Sequence, residues 1–130
     1  MTDPKTRVSL LSFDDVTDVN LQRCKRWHPG FPNDDSWSGA DWSNAMCGEA
    51  GEAANVVKKL RRLEGGYKDY RPLVKEELLE KLGDELADTF LYMNLLASKY
   101  GVDLPDAIAR KFNFVSAAQD FPERLPRRSE

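Results

Sequence analysis

Residues 42–63 read WSNAMCGEAGEAANVVKKLRRL, and the spacing of their apolar members decides the fold. On a helix at about 100° per residue, Trp42, Ala45, Met46, Ala53, Val56, Leu60 and Leu63 fall on one side. Glu49 lies in the middle of that side and Glu52 at its edge. Upstream, Ser38-Gly39-Ala40-Asp41 has the form of a capping box, a serine acceptor with an acid three residues on. The helix predicted from this point runs to about Leu63, where Gly65-Gly66 stops it.

The pattern recurs downstream. A second long helix is predicted from about Leu73 to Tyr100, ended by Gly101. With Glu85 as reference, Val74, Leu78, Leu82, Thr89, Tyr92 and Leu96 share its side and Asp88 sits at the edge. Residues three apart on a helix are neighbours, about 5–6 Å apart at Cβ, so each helix carries a close pair of acids on its inward face. Residues 67–72 form the loop between the two helices.

The flanks complete the domain. Residues 1–13 are an N-terminal arm with an apolar patch of Val8, Leu10, Leu11 and Phe13. From Asp14 to Trp27 the stripe Val16, Val19, Cys24, Trp27 suits a short helix. Pro29 and Gly30 end it, and residues 28–37 form a loop. Asp103 caps a last helix with Pro105 in its first turn, and Leu104, Ile108, Phe112 and Val115 are its apolar stripe. The tail, residues 123–130, is charged and expected to be loose. No strand pattern and no internal repeat is visible. The expected fold is all-α: a four-helix, bundle-like domain over residues 14–122 with two long antiparallel helices.

Composition narrows the function. The 130 residues suit one domain. Nineteen basic against 22 acidic residues give a net charge of −3, which argues against a nucleic-acid partner. The two cysteines, Cys24 and Cys47, make no CxxC, and His28 is the one histidine, so cysteine- or histidine-based metal sites are excluded. No apolar run reaches membrane-spanning length and no signal peptide is recognisable, so no membrane partner and a cytoplasmic location are expected.

Four acids on one seam repel each other and resist desolvation, so they require a compensating charge. No ExxH accompanies them, which excludes the di-iron bundle pattern. Oxygen-only ligands point to a hard cation, Mg²⁺ with Mn²⁺ as a substitute, and Mg²⁺ of this kind works with phosphate-bearing substrates. The competing reading is that Glu49 and Glu85 pair with basic residues, for which Lys59 and Lys81 are the nearest in sequence. Glu76, Glu77 and Glu80 read as solvated face. Trp27, His28, Phe31, Trp37 and Trp42 crowd one region. Trp42 belongs to the core stripe, whereas Trp27, His28 and Trp37 are candidates for contact with a base. Lys59 is a candidate for a phosphate contact. There is no GxxxxGK[ST] loop, so the chain is not a P-loop enzyme. From Leu86 to Ala97 apolar residues occupy several faces, which predicts cover by a second subunit.

The stretch Gly48-Glu49-Ala50-Gly51-Glu52-Ala53 with Lys58-Lys59-Leu60, followed by Leu82-Gly83-Asp84-Glu85-Leu86-Ala87-Asp88, resembles the MazG-like all-α nucleoside triphosphate pyrophosphatase superfamily, whose signature is ExxE on one helix and ExxD on the next. Gly101-Val102-Asp103-Leu104-Pro105-Asp106-Ala107 resembles its dCTP pyrophosphatase branch. The resemblance implies Mg²⁺-dependent hydrolysis of a nucleoside triphosphate to the monophosphate and pyrophosphate. It puts Glu49, Glu52, Glu85 and Asp88 on the metal, with Glu49 or Glu52 also activating water. It makes Lys111 and Asn113 the matching phosphate contacts, and it implies a homodimer or homotetramer. Phosphoribosyl-ATP pyrophosphohydrolase is a relative with similar acids and an alternative activity. A non-catalytic helical module that binds a structural cation is another reading.

Overall fold

The computed structural model describes residues 11–33, 36–66 and 74–128. It contains four helices: α1 (Phe13–Trp27), α2 (Gly39–Glu64), α3 (Lys75–Lys99) and α4 (Leu104–Ala118), and no strand among the described residues. The expected loop at 67–72 and the arm up to residue 10 lie outside the described residues. No helix among the described residues is long and apolar enough to cross a membrane.

Local signals set the helix starts. Ser38 accepts a hydrogen bond from the Asp41 N–H, and the Asp41 carboxylate accepts one back from the Ser38 N–H at 2.7 Å, so the capping box is complete. Asp103 caps α4 through the Asp106 N–H, with Pro105 in the first turn. Ser12 does the same for α1 through Asp15. α3 ends where Gly101 takes a φ of 65°, a left-handed conformation that glycine adopts without Cβ strain.

The chain divides into two compact units, Asp34–Leu96 and Met1–Asn33 with Ala97–Glu130. In the first, α2 and the greater part of α3 share a core of Val56, Leu60 and Leu78, with Leu63 and Leu82 packed against it. Trp42 is buried, its ring centroid 4.7 Å from that of Trp37 and 6.3 Å from that of Tyr92. The α2 stripe read from sequence is the buried face of α2. On α3 Leu78 is buried and Leu82, Thr89, Tyr92 and Leu96 are half-buried, but the other buried positions, Asn94 and Leu95, lie off the stripe, and Val74 precedes the helix and is exposed.

The second unit departs further from expectation. Its buried positions on α1 and α4 are Asn20, Cys24, Ala109 and Ser116. Val19 and Trp27 on α1, and Ile108, Phe112 and Val115 on α4, are exposed instead of forming the inward stripes. Small and polar side chains occupy the tight contacts, and the bulkier apolar ones turn outward. The tail is not loose up to Arg128: Asn113 exchanges two hydrogen bonds with Leu125, and Arg127 and Arg128 bind Asp106, Asp103 and Asp14.

Candidate metal centre

α2 and α3 bring acids together. One carboxylate oxygen from each of Glu49, Glu85 and Asp88 lies within 4.8 Å of the other two. Glu49 and Glu85 are half-buried and Asp88 is exposed. Glu52, also exposed, lies outside this trio but adds to the negative field on Glu49. Desolvation is the chief cause that raises the Glu49 pKa above the ordinary glutamate value. A hydrogen bond with the Glu85 carboxyl and the charges of Asp88, Glu85 and Glu52 push it the same way. A cation held there would neutralise the negative charge that these carboxylates concentrate.

Two α3 side chains stand beside Glu85. Thr89 Oγ1 donates to the Glu85 carbonyl oxygen at 2.7 Å, one turn back on α3. Lys81 Nζ stands 3.4 Å from Glu85 Oε1, so one of the two basic partners considered from sequence is present. Its side chain is 54% exposed against 12% for Glu85, and one solvated ammonium does not balance three carboxylates and the nearby Glu52. The trio offers oxygen ligands alone, with no histidine or thiolate. That donor set fits a hard divalent cation.

Of the other expected contacts, Lys59 and Trp37 lie in the same unit as the acids, and Trp27, His28, Lys111 and Asn113 in the other. Lys59 is half-buried on α2, ten residues beyond Glu49, about 15 Å along the axis at 1.5 Å per residue. Trp37 lies against Trp42 in the same unit as the acids. Trp27 and His28 belong to the other unit. Trp27 is 70% exposed with the Arg23 guanidinium 5.8 Å from its ring centroid, and His28 closes α1 through its N–H to the Cys24 carbonyl. Lys111 is exposed with its ammonium 5.3 Å from the Phe114 ring. Asn113 spends its carboxamide on Leu125. Sequence reasoning did not connect Tyr92 with the tryptophans. The signal was there, because Tyr92 lies one turn past Asp88 on the inward stripe of α3 and Trp42 lies two turns ahead of Glu49 on that of α2.

A small all-helical domain whose two longest helices join three carboxylates is the class that fold and site define. The chain belongs to the same family as the Gene 37 protein of Mycobacterium phage L5, with which it is 32% identical over 94 residues, 72% of this chain and 77% of that protein. It is also 29% identical over 113 residues to dCTP pyrophosphatase 1 of Rattus norvegicus and of Mus musculus, covering 84% of this chain and 63% of each relative. The chain thus spans less than two thirds of the length of those two enzymes. No protein-family model matches it. The two enzyme matches and the all-helical fold support the MazG-like superfamily.

Proposed function

We propose that the chain is a nucleoside triphosphate pyrophosphohydrolase that releases the monophosphate and pyrophosphate, with a pyrimidine deoxynucleotide as the favoured substrate. The observation that carries this is the convergence of Glu49, Glu85 and Asp88 from two helices. The similarity to two dCTP pyrophosphatases supports the substrate class. The order of contacts, Trp42 with Tyr92, Glu49 with Glu85, and Val56 and Leu60 with Leu78, supports an antiparallel α2–α3 hairpin.

Glu49, Glu85 and Asp88 would hold Mg²⁺, with Mn²⁺ as a substitute. A divalent ion there supplies neutralisation of the triphosphate's charge, which is most of what anhydride cleavage needs. Glu52, exposed one turn beyond Glu49, is left to accept the proton of the attacking water. The water oxygen bonds to phosphorus, its proton passes to the Glu52 carboxylate, and the α–β anhydride bond breaks with its electron pair leaving on the departing phosphate oxygen. Trp37, and with it Trp27 and His28, are the proposed base contacts; Lys59 and Lys111 are the proposed phosphate contacts. A second copy of the chain is the proposed cover for Leu86 and Met93, which are 55% and 37% exposed on α3. A stable monomer in sedimentation at micromolar concentration would remove that last element.

The test is product analysis over a panel of ribo- and deoxynucleoside triphosphates with Mg²⁺. Monophosphate and pyrophosphate in equal amounts, with a pyrimidine deoxynucleotide turned over fastest, is the expected result. Diphosphate with orthophosphate would mean that the wrong anhydride is cut. No turnover of any triphosphate would leave a cation-binding helical module.

A further inference from the structure

The last described residues fold back along α4. Asp120, a non-glycine residue with φ of 56°, makes the reversal, and the Phe121 N–H closes it on the Ser116 carbonyl at 2.8 Å. The tail then meets α4 three times in reverse order. Asn113 Nδ2 donates to the Leu125 carbonyl at 2.9 Å, and its Oδ1 accepts the Leu125 N–H at 2.7 Å. One carboxamide thus binds both sides of one backbone unit, as a neighbouring strand would. Arg127 grips Asp106 through Nε at 3.1 Å and Nη2 at 2.8 Å, a bidentate fork. Arg128 reaches two elements at once. Its Nη2 is 2.6 Å from Asp14, in the first turn of α1, and its Nε is 3.0 Å from Asp103, the cap of α4.

We infer that residues 121–128 are an ionic strap tying the start of α4 to the start of α1, and that Asn113 is the positioning residue that keys the strap rather than a group that contacts phosphate. The strap stands on geometry alone; the assignment of Asn113 refines the pyrophosphohydrolase reading and rests on it. Two observations carry the inference. The carboxamide has both its donor and its acceptor committed to the Leu125 backbone, in bonds of ordinary length. The ion pairs that join the strap to the helix starts have side chains between a quarter and two thirds exposed. Exposed pairs are individually weak and screened by salt, whereas the carboxamide bonds are neutral. The strap therefore opens with ionic strength, without loss of the helices beneath it.

Limited trypsin digestion of the full chain tests this, with mass spectrometry reading cleavage after Arg124, beside hydrogen exchange at the Leu125 amide. At about 50 mM salt cleavage there is slow and the amide protected. At about 1 M salt, where the screening length falls to roughly 3 Å, cleavage accelerates several-fold. Asn113→Ala, and the double variant Arg127→Ala with Arg128→Ala, are cut quickly already at low salt. Adding Asn113→Ala to the double variant raises KM for the nucleotide no further, since both act on one device. Fast, salt-independent cleavage and an unprotected Leu125 amide in the unaltered chain would overturn the strap. A further rise in KM on adding Asn113→Ala would overturn its positioning role and restore a phosphate contact. Exchange at Leu125 needs no variant, so a misfolded substitution leaves the test intact. A protected Leu125 in a chain that turns over no nucleotide would uphold the strap while the pyrophosphohydrolase reading fails.

Discussion

Glu49 shows most plainly how one side chain links fold to chemistry. It replaces an apolar residue at the centre of the α2 stripe and pays by losing water beside three other acids. Its pKa is raised in the folded chain, so across the interval above the ordinary glutamate value the folded state binds more protons than the unfolded one. Metal-free stability therefore falls as pH rises through that interval, and the stabilisation gained from Mg²⁺ grows over the same interval as protons stop competing for the carboxylates. Melting curves with and without Mg²⁺ at several pH values check this. A Mg²⁺ shift independent of pH between about 4 and 8, on either side of the ordinary carboxylate range, would show that Glu49 takes no part in holding the ion. Trp27 offers a second residue-scale test. If it stacks on a base, Trp27→Ala raises KM more than it lowers kcat, because stacking acts in ground and transition states alike. An unchanged KM for every nucleotide turned over would leave Trp27 as a surface aromatic.

Among the elements, α3 invites a direct test of its own composition. Gly83 lies inside the helix, two residues before Glu85, and a Cβ built there meets nothing within 4 Å. Alanine at such a position is worth about 1 kcal/mol over glycine, so Gly83→Ala should raise Tm by a few degrees, on the order of 3–6 °C for a chain of this size. A lower Tm would reveal a close neighbour, such as a second copy. The long helices were legible because their stripes are long and periodic: Trp42 to Leu63 on α2 faces inward as the spacing says, and Ser38 caps α2 where its chemistry requires, while toward the end of α3 the buried positions Asn94 and Leu95 lie off the stripe. α1 and α4 were legible as helices but not in their facing. Cys24 apart, which is buried as its place on the α1 stripe says, the buried positions Asn20, Ala109 and Ser116 carry no apolar bulk to register on a wheel. The tail misled for a related reason. The tail reads as loose because the partners of Arg127 and Arg128, namely Asp106, Asp103 and Asp14, lie 21 to 114 residues away in sequence. At the site, sequence spacing paired Glu49 with Glu52 and Glu85 with Asp88, while the structure joins Glu49 to Glu85 and Asp88 and leaves Glu52 outside the trio. The i, i+3 relation was visible from one helix; which carboxyl groups meet depends on the register between two.

For the whole molecule, the account makes the acids a cost to the fold that a divalent ion offsets. Mg²⁺ binds the folded arrangement and not the dispersed carboxylates of the unfolded chain, so it raises Tm by mass action. Glu85 is the residue to change, since it is half-buried, touches Glu49 and stands next to Lys81. The decisive measurement is the thermal stability of the parent and of Glu85→Leu, each with and without Mg²⁺, alongside nucleotide turnover. The account predicts that Glu85→Leu abolishes turnover, loses most of the Mg²⁺-induced rise in Tm, and without metal is at least as stable as the metal-free parent, because a strained site has been relieved. The contradicting result is a metal-free variant destabilised by about 3–5 kcal/mol, the loss expected when a structural ion pair is broken, with the Mg²⁺ shift intact. In that case the Lys81–Glu85 pair would hold the fold and the carboxylates would not be a metal centre.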